Sequence, residues 1–212
     1  MLVYLYYILM VMCFIASLYY LHFFKVKMLS LLLFLSICTE AWAEIIGTHQ
    51  FHHFILYHYF NIAEYALTTI ILLSGIDNIF LKRLMIFSIP CYTLISLYIS
   101  LMVQGINEFP SINCNIESLL IIVWCIISLW NIKPDYKFTM FQKPTFWFIL
   151  GFFIYFSGTM TFDGIYNTLL SHKTETATKL FSIINSVCNY LLYILLLIGI
   201  ACYRFQKKYM SQ

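Results

Sequence analysis

The 212-residue sequence has very few charged residues. Only 10% of its residues are Asp, Glu, Lys or Arg, whereas 62% are hydrophobic and the mean hydropathy is +0.86. Soluble domains carry about 25% charged residues, so this chain cannot cover a water-facing surface. Its net charge of +3 is too small to indicate a nucleic-acid partner. The composition therefore excludes a soluble, disordered or nucleic-acid-binding protein and predicts a polytopic protein of the lipid bilayer.

Several motifs of cofactor and metal chemistry are also missing. The seven cysteines include no C-x-x-C pair, and the chain has no H-E-x-x-H, no G-x-G-x-x-G and no P-loop. A retinal Schiff base in the last helix is excluded because no lysine lies between Lys179 and Lys207. The motifs therefore predict no cofactor.

Long apolar runs separated by short polar segments predict an all-α fold, a seven-transmembrane-helix bundle that forms one domain over residues 1–212. The predicted helices are residues 1–24, 28–47, 54–75, 84–103, 112–130, 145–166 and 179–203. Pro90 lies inside the fourth helix and predicts a kink there. Gly151 and Gly158 predict a close approach of the sixth helix to a neighbour.

The distribution of basic residues predicts the orientation of this bundle. Ten of the twelve Lys and Arg residues fall in the first, third and fifth loops and the C-terminal tail, and only Lys173 and Lys179 fall elsewhere. Because basic loops are retained in the cytoplasm, the N-terminus is expected outside and the C-terminus inside. Lys25 and Lys27 follow the first apolar segment, which is expected to be an uncleaved spanning helix.

Polar side chains are predicted to cluster in the outer half of the membrane, whereas the inner half is apolar. Glu64 lies about ten residues from the outer end of the third helix, about 15 Å deep at 1.5 Å per residue. Intramembrane polar groups are costly unless they are paired or face a cavity, so an outward-facing polar pocket is expected. Bonding between helices without any ligand remains the alternative. The pocket candidates are Glu40, Glu44, His58, Asn61, Glu64, Asn115, Glu117, Tyr155, Thr159, Asp163, Asn185 and Asn189.

Four histidines surround the second predicted loop: His49, His52, His53 and His58. Imidazoles at these spacings can hold zinc or copper, with Glu44 completing the ligand set. A metal site needs three or four convergent ligands, and a short interfacial loop also accommodates solvated histidines. The solvated cluster is therefore the default expectation, and a metal is the alternative.

Short motifs distributed over most of the chain resemble a group of small bacterial multi-pass membrane proteins with no assigned activity. They are Glu44–Gly47 (EIIG), Tyr57–Tyr65 (YHYFNIAEY), Gln104–Asn107 (QGIN) with Phe109, Lys143–Trp147 (KPTFW) with Gly151, Tyr155 and Gly158, and Ile184-Asn185 with Tyr190 and Tyr193. The resemblance implies about seven helices, a place in the bacterial cytoplasmic (inner) membrane, and Glu44 and Glu64 as group features. Glu40 and the histidine-rich loop depart from the group.

Three functions follow as hypotheses. The first is a ligand-binding, sensing or accessory signalling module, which would need a membrane or cytoplasmic partner because the cytoplasmic loops are too short for an enzyme. The second is an intramembrane lipid-modifying hydrolase that uses Glu64, Asp163 or a His-bound metal. The third is a proton or cation path through Glu64. The sequence leaves open both an enzymatic activity and a homo-oligomer.

Overall fold

The computed structural model describes residues 2–47, 54–132, 139–172 and 175–210, and the side chains of residues 5–45, 54–132, 139–160 and 183–204. These residues form seven α-helices and no strand, which confirms the all-α prediction. The helices are α1 (Leu2–Leu18), α2 (Phe24–Gly47), α3 (Phe54–Leu73), α4 (Ile79–Tyr98), α5 (Ser111–Trp130), α6 (Pro144–His172) and α7 (Glu175–Met210). A π-helical turn, Ile99–Val103, extends α4.

Helix ends differ from the predicted ones mainly where lysines were assigned to loops. α1 ends at Leu18 and α2 begins at Phe24, so Lys25 and Lys27 lie in the first turn of α2. α4 begins at Ile79, because the side chain of Asn78 caps it by accepting a hydrogen bond of 2.9 Å from the backbone N–H of Phe80. A prediction from apolar runs alone placed these helix starts too late, because it assigned the lysines to loops. The apolar stem of a lysine can lie along the first turn of a helix while its charged group reaches water.

Four helical segments are long and apolar enough to cross a membrane: Phe24–Ile45, Ile79–Val103, Ser111–Trp130 and Ile183–Arg204. Two further apolar runs, Leu5–Leu18 and Pro144–Met160, are shorter. Large apolar side chains also cover the outside, and Leu94 and Met102 are 70% and 75% exposed. Such an apolar exterior suits hydrocarbon and not water, so these features indicate a membrane protein.

Six of the helices form a closed ring. α1 packs against α2 and α7, α7 against α6, α6 against α5, α5 against α3, and α3 against α2. α4 lies outside this ring and packs mainly against α3. A cavity lies at the centre of this ring, and no α4 residue lines it.

The contact between α6 and α7 depends on glycine, as predicted for the sixth helix. A Cβ atom on Gly151 would lie 3.4 Å from the Cβ of Leu195, and one on Gly158 would lie 2.5 Å from the Sγ of Cys188. On the α7 side, a Cβ on Gly199 would lie 2.5 Å from the ring of Phe148. Small residues at these positions let the two helix backbones approach closely.

Short connections make successive helices run in opposite directions, so the bundle has two ends. We call the end at which α2, α4 and α6 begin the basic end, because Lys25, Lys27, Lys82, Arg83, Lys143 and Arg204 lie there. The other end, at which α1, α3, α5 and α7 begin, is called the far end. Among the described residues it carries the exposed side chains of Glu44 and Glu108, and Lys179 lies in the second turn of α7.

Candidate ligand-binding cavity

A cavity of about 290 Å³ lies inside the six-helix ring. All six ring helices contribute to its wall, together with Phe109 from the segment before α5, whereas α4 contributes no lining residue. The polar members of the wall are Ser36, Thr39, Glu40, Asn61, Glu64, Cys114, Glu117, Ser118, Thr159, Asn185 and Asn189, together with the four tyrosines Tyr6, Tyr57, Tyr155 and Tyr193. A molecule that filled this space would lie against residues of every ring helix.

Helical periodicity brings these residues to one surface. On α3, Tyr57, Phe60, Asn61 and Glu64 follow the spacing i, i+3, i+4 and i+7, which is one face of a helix. On α7, Asn185 and Asn189 are followed at helical spacing by Leu192 and Leu196. The wall therefore changes from polar to apolar along its depth.

The polar part of the wall lies toward the far end. Glu64 is ten residues from the start of α3 at Phe54, a rise of about 15 Å at 1.5 Å per residue. Glu117 lies in the second turn of α5. Toward the basic end, the wall includes Leu32, Leu33, Phe152 and Leu196.

Three carboxylic side chains from three helices reach this cavity: Glu40, Glu64 and Glu117. The hydroxyl of Tyr7 donates a hydrogen bond of 3.3 Å to the Oε2 of Glu40, which links α1 to α2. Glu117 is only 2% exposed, and its Oε2 lies 3.5 Å from the hydroxyl of Tyr92 in α4. The carboxylates thus come from separate parts of the ring and share one space.

Eight of the twelve predicted pocket candidates line this cavity: Glu40, Asn61, Glu64, Glu117, Tyr155, Thr159, Asn185 and Asn189. Of the others, Glu44 is exposed and Asn115 is half-buried, and neither lines the cavity. Asp163 lies in α6, but its side chain is outside the described residues. Glu44 lies one turn beyond Glu40 on α2, toward the far end.

His58 is the remaining candidate, and it is buried away from the cavity. Its Nδ1 is 2.7 Å from the Oγ of Ser100, and its Nε2 is 3.0 Å from the backbone carbonyl oxygen of Glu108. The side chain of Asn113 donates to the same Ser100 oxygen at 2.9 Å. This network joins α3, the π-helical turn and α5. His58 therefore bonds helices together, which was the alternative to ligand binding in the sequence analysis.

The segment between the π-helical turn and α5 is held by Gln104. Its Nε2 donates to the carbonyl oxygen of Phe109 at 2.6 Å and to the Oγ of Ser111 at 2.7 Å. Gly105 has a φ of 77°, which glycine adopts without strain. The resulting turn places Phe109 at the cavity, where its ring packs edge-on against Phe54 at 6.0 Å between centroids.

The predicted metal site falls mostly outside the described residues, because His49, His52 and His53 lie in the segment 48–53. Within the part of the chain that the structure describes, no three His, Cys, Asp or Glu side chains are grouped so that they could hold a metal ion. His58 is committed to Ser100 and Glu108, as described above.

Some lining residues were missed from the sequence. Ser36 lies three and four residues before Thr39 and Glu40 on one face of α2, and Cys114 lies three and four residues before Glu117 and Ser118 on α5. This spacing is visible in the sequence, but it does not single these residues out, because small polar residues are common in membrane helices that bind no ligand.

Comparison with known proteins gives no relative: no family model, no curated protein and no solved structure matches this chain. The resemblance to bacterial multi-pass membrane proteins therefore stays a prediction. The fold defines the class of the chain, a helical protein with apolar, membrane-length helices.

Proposed function

We propose that all seven helices cross the membrane and that the far end faces away from the cytoplasm. The basic end carries Lys25, Lys27, Lys82, Arg83, Lys143 and Arg204, and such residues are retained on the cytoplasmic side. α3 has 20 residues, enough to span, and most of its polar side chains are turned inward: Asn61 and Glu64 line the cavity, and His58, Thr68 and Thr69 are buried. On the resemblance alone, we assign the protein to the cytoplasmic membrane of a bacterium.

We further propose that the protein binds a small molecule in the cavity and acts as a sensing or accessory signalling module. The observation that carries this proposal is the enclosure of one polar cavity by six helices. A ligand that touches all six helices can favour one packing arrangement over another through its differential contacts. The signal would pass to a membrane or cytoplasmic partner at the basic end.

The proposal can be tested by filling the cavity with a larger side chain and measuring whether a bound small molecule is lost. Ser118 lines the cavity and is 2% exposed, whereas its neighbour Leu119 is 52% exposed on the outside of α5. Ser118→Phe and Leu119→Phe therefore add an aromatic ring to the same helix, inside and outside the ring. The full chain and both variants would be purified from the same membranes, and their organic extracts would be compared by mass spectrometry.

We expect a compound present at near one copy per protein in the unmodified chain and in Leu119→Phe, and absent from Ser118→Phe. Circular dichroism and gel filtration would establish that Ser118→Phe is folded. A cavity of about 290 Å³ leaves space for the ring, so little overpacking is expected. Equal small-molecule content in all three folded proteins would contradict the binding function.

A further inference from the structure

A second recess lies on the outer surface of the bundle, between α1 and α7 near the basic end. Its volume is about 570 Å³, and it shares no lining residue with the cavity inside the ring. We call it the α1–α7 groove. Its described lining residues are Met12, Ile15, Ala16, Tyr19, Tyr20, Leu197, Ile200, Ala201 and Arg204.

The two walls of the groove follow the same pattern. On the α7 side, the lining residues have the spacing i, i+3, i+4 and i+7, which is one face of a helix: Leu197, Ile200, Ala201 and Arg204. The α1 side repeats this spacing with Met12, Ile15, Ala16 and Tyr19. An alanine therefore stands at the i+4 position of each wall, and these two short side chains leave room between longer neighbours.

The groove is apolar along most of its length and polar at one end. α1 and α7 both begin at the far end, so Tyr19 and Arg204 lie together toward the basic end. The apolar run of α1 ends at Leu18, and the membrane-length apolar segment of α7 ends at Arg204. Both walls thus change from apolar to polar where the hydrocarbon of a bilayer would give way to headgroups. A molecule with an acyl chain and a polar headgroup matches this profile.

The polar end of the groove favours an anionic headgroup. Arg204 is the only charged residue among the described lining residues, and it is exposed. A guanidinium group offers two parallel N–H donors to phosphate oxygens, and the tyrosine side chains at this end carry hydroxyl donors. No described lining residue is acidic, so the groove offers no carboxylate to the ammonium group of a zwitterionic lipid.

Charge also argues against a second copy of this chain as the occupant. Copies inserted in one membrane have the same orientation, so their basic ends would meet at such a contact. Arg204 would then lie among further basic residues, which is repulsive, whereas a lipid phosphate supplies the opposite charge.

We propose that the α1–α7 groove binds one anionic phospholipid, with its phosphate at Arg204 and an acyl chain along Ile15 and Leu197. This site is separate from the cavity and does not depend on what the cavity binds. In the orientation proposed above, the lipid belongs to the cytoplasmic leaflet.

Native mass spectrometry of the delipidated full-length protein in detergent tests this site. The protein would be titrated with phosphatidylglycerol, phosphatidylcholine and diacylglycerol that carry the same dioleoyl chains. A basic residue near anionic lipid contributes about 1 kcal/mol, so we expect the first phosphatidylglycerol to bind about fivefold more tightly than either other lipid. Excess glycerol 1-phosphate should not displace it, because that molecule has no acyl chain for the apolar walls.

Two pairs of variants assign the binding to the groove. Arg204→Gln should abolish the preference for phosphatidylglycerol, whereas Arg83→Gln, at an exposed arginine of α4 at the same end, should retain it. Ala201→Phe places a ring in the groove and should weaken binding of the lipid severalfold. Ala41→Phe adds the same ring at an exposed alanine of α2 outside the groove and should have no effect. Both alanines are exposed, so neither ring has to enter the core, and circular dichroism would establish that the variants are folded.

Equal affinities for the three lipids, equal effects of Arg204→Gln and Arg83→Gln, or unchanged lipid binding by Ala201→Phe would overturn the proposal. If Ala201→Phe converted a dimer into a monomer and left the lipid affinities unchanged, the groove would be a contact between copies. The cavity compound serves as an independent readout, because Ala201→Phe should retain the compound that Ser118→Phe loses.

Discussion

The Nδ1 of His58 lies 2.7 Å from the Oγ of Ser100, and this contact joins the start of α3 to the π-helical turn after α4. The other ring nitrogen lies 3.0 Å from the carbonyl oxygen of Glu108, in the segment that leads to α5. A histidine singled out as a pocket or metal residue thus holds α4 against the ring from outside the cavity. Its position explains how a helix that contributes nothing to the cavity wall remains part of the bundle.

Replacing His58 should therefore affect stability and spare ligand binding. His58→Leu removes both contacts, and interhelical hydrogen bonds in membranes contribute about 1 kcal/mol each or less, so we expect a destabilisation of about 1–2 kcal/mol. His22→Leu, at an exposed histidine between α1 and α2, is the matched control and should change stability little. Denaturant unfolding in detergent measures both. If His58→Leu lost the co-purified compound while remaining folded, His58 would belong to the binding site.

A second chain of hydrogen bonds joins three helices through Tyr65. The indole N–H of Trp124 in α5 donates to the hydroxyl of Tyr65 at 3.1 Å, and that hydroxyl lies 2.6 Å from the Oγ of Ser88 in α4. Tyr65→Phe leaves the buried indole N–H of Trp124 without this acceptor, so we expect a loss of about 1–3 kcal/mol. Tyr59→Phe, at a tyrosine that is 57% exposed, should be nearly neutral. Thermal unfolding followed by tryptophan fluorescence would compare the two, and equal midpoints would contradict the role of Tyr65.

The contact of α6 with α7 permits a test by compensation. Among the described residues, the only side chain within 4 Å of a Cβ atom added at Gly158 is that of Cys188, with Sγ at 2.5 Å. Gly158→Ala should cost about 1–3 kcal/mol through overpacking. Removing the sulfur with Cys188→Ala in the same chain should recover most of that loss, although Cys188→Ala alone should be mildly destabilising. Additive losses in the double variant would show that the two residues do not meet.

The helices and much of the cavity wall could be predicted from the sequence, and the reason is physical. A bilayer requires about 20 apolar residues per crossing, so a long apolar run in the sequence is enough to predict a helix. A polar side chain on such a helix must face inward, so Asn61, Glu64 and Glu117 could be assigned to the interior from their spacing alone.

Whether a buried polar residue faces the cavity or a contact between helices depends on how the helices pack, which the local sequence does not encode. Asn113 and Glu117 lie one turn apart on α5, yet the first side chain bonds Ser100 of the π-helical turn and the second reaches the cavity. The distinction arises because α4 lies outside the six-helix ring, on the α3 side. No charge or hydropathy pattern marks that choice, since α4 is as apolar as the ring helices that are long and apolar enough to cross a membrane.

The proposed orientation leads to a final prediction about the two ends of the bundle. Glu108 is exposed before α5 at the far end, and Ile79 is 63% exposed as the first residue of α4 at the basic end. If the basic end is cytoplasmic, a membrane-impermeant thiol reagent added to intact cells should modify Glu108→Cys within minutes and leave Ile79→Cys unmodified. Permeabilised cells should show modification at both positions, which controls for reactivity. Modification of Ile79→Cys alone in intact cells would invert the orientation, and the polar part of the cavity would then lie toward the cytoplasm.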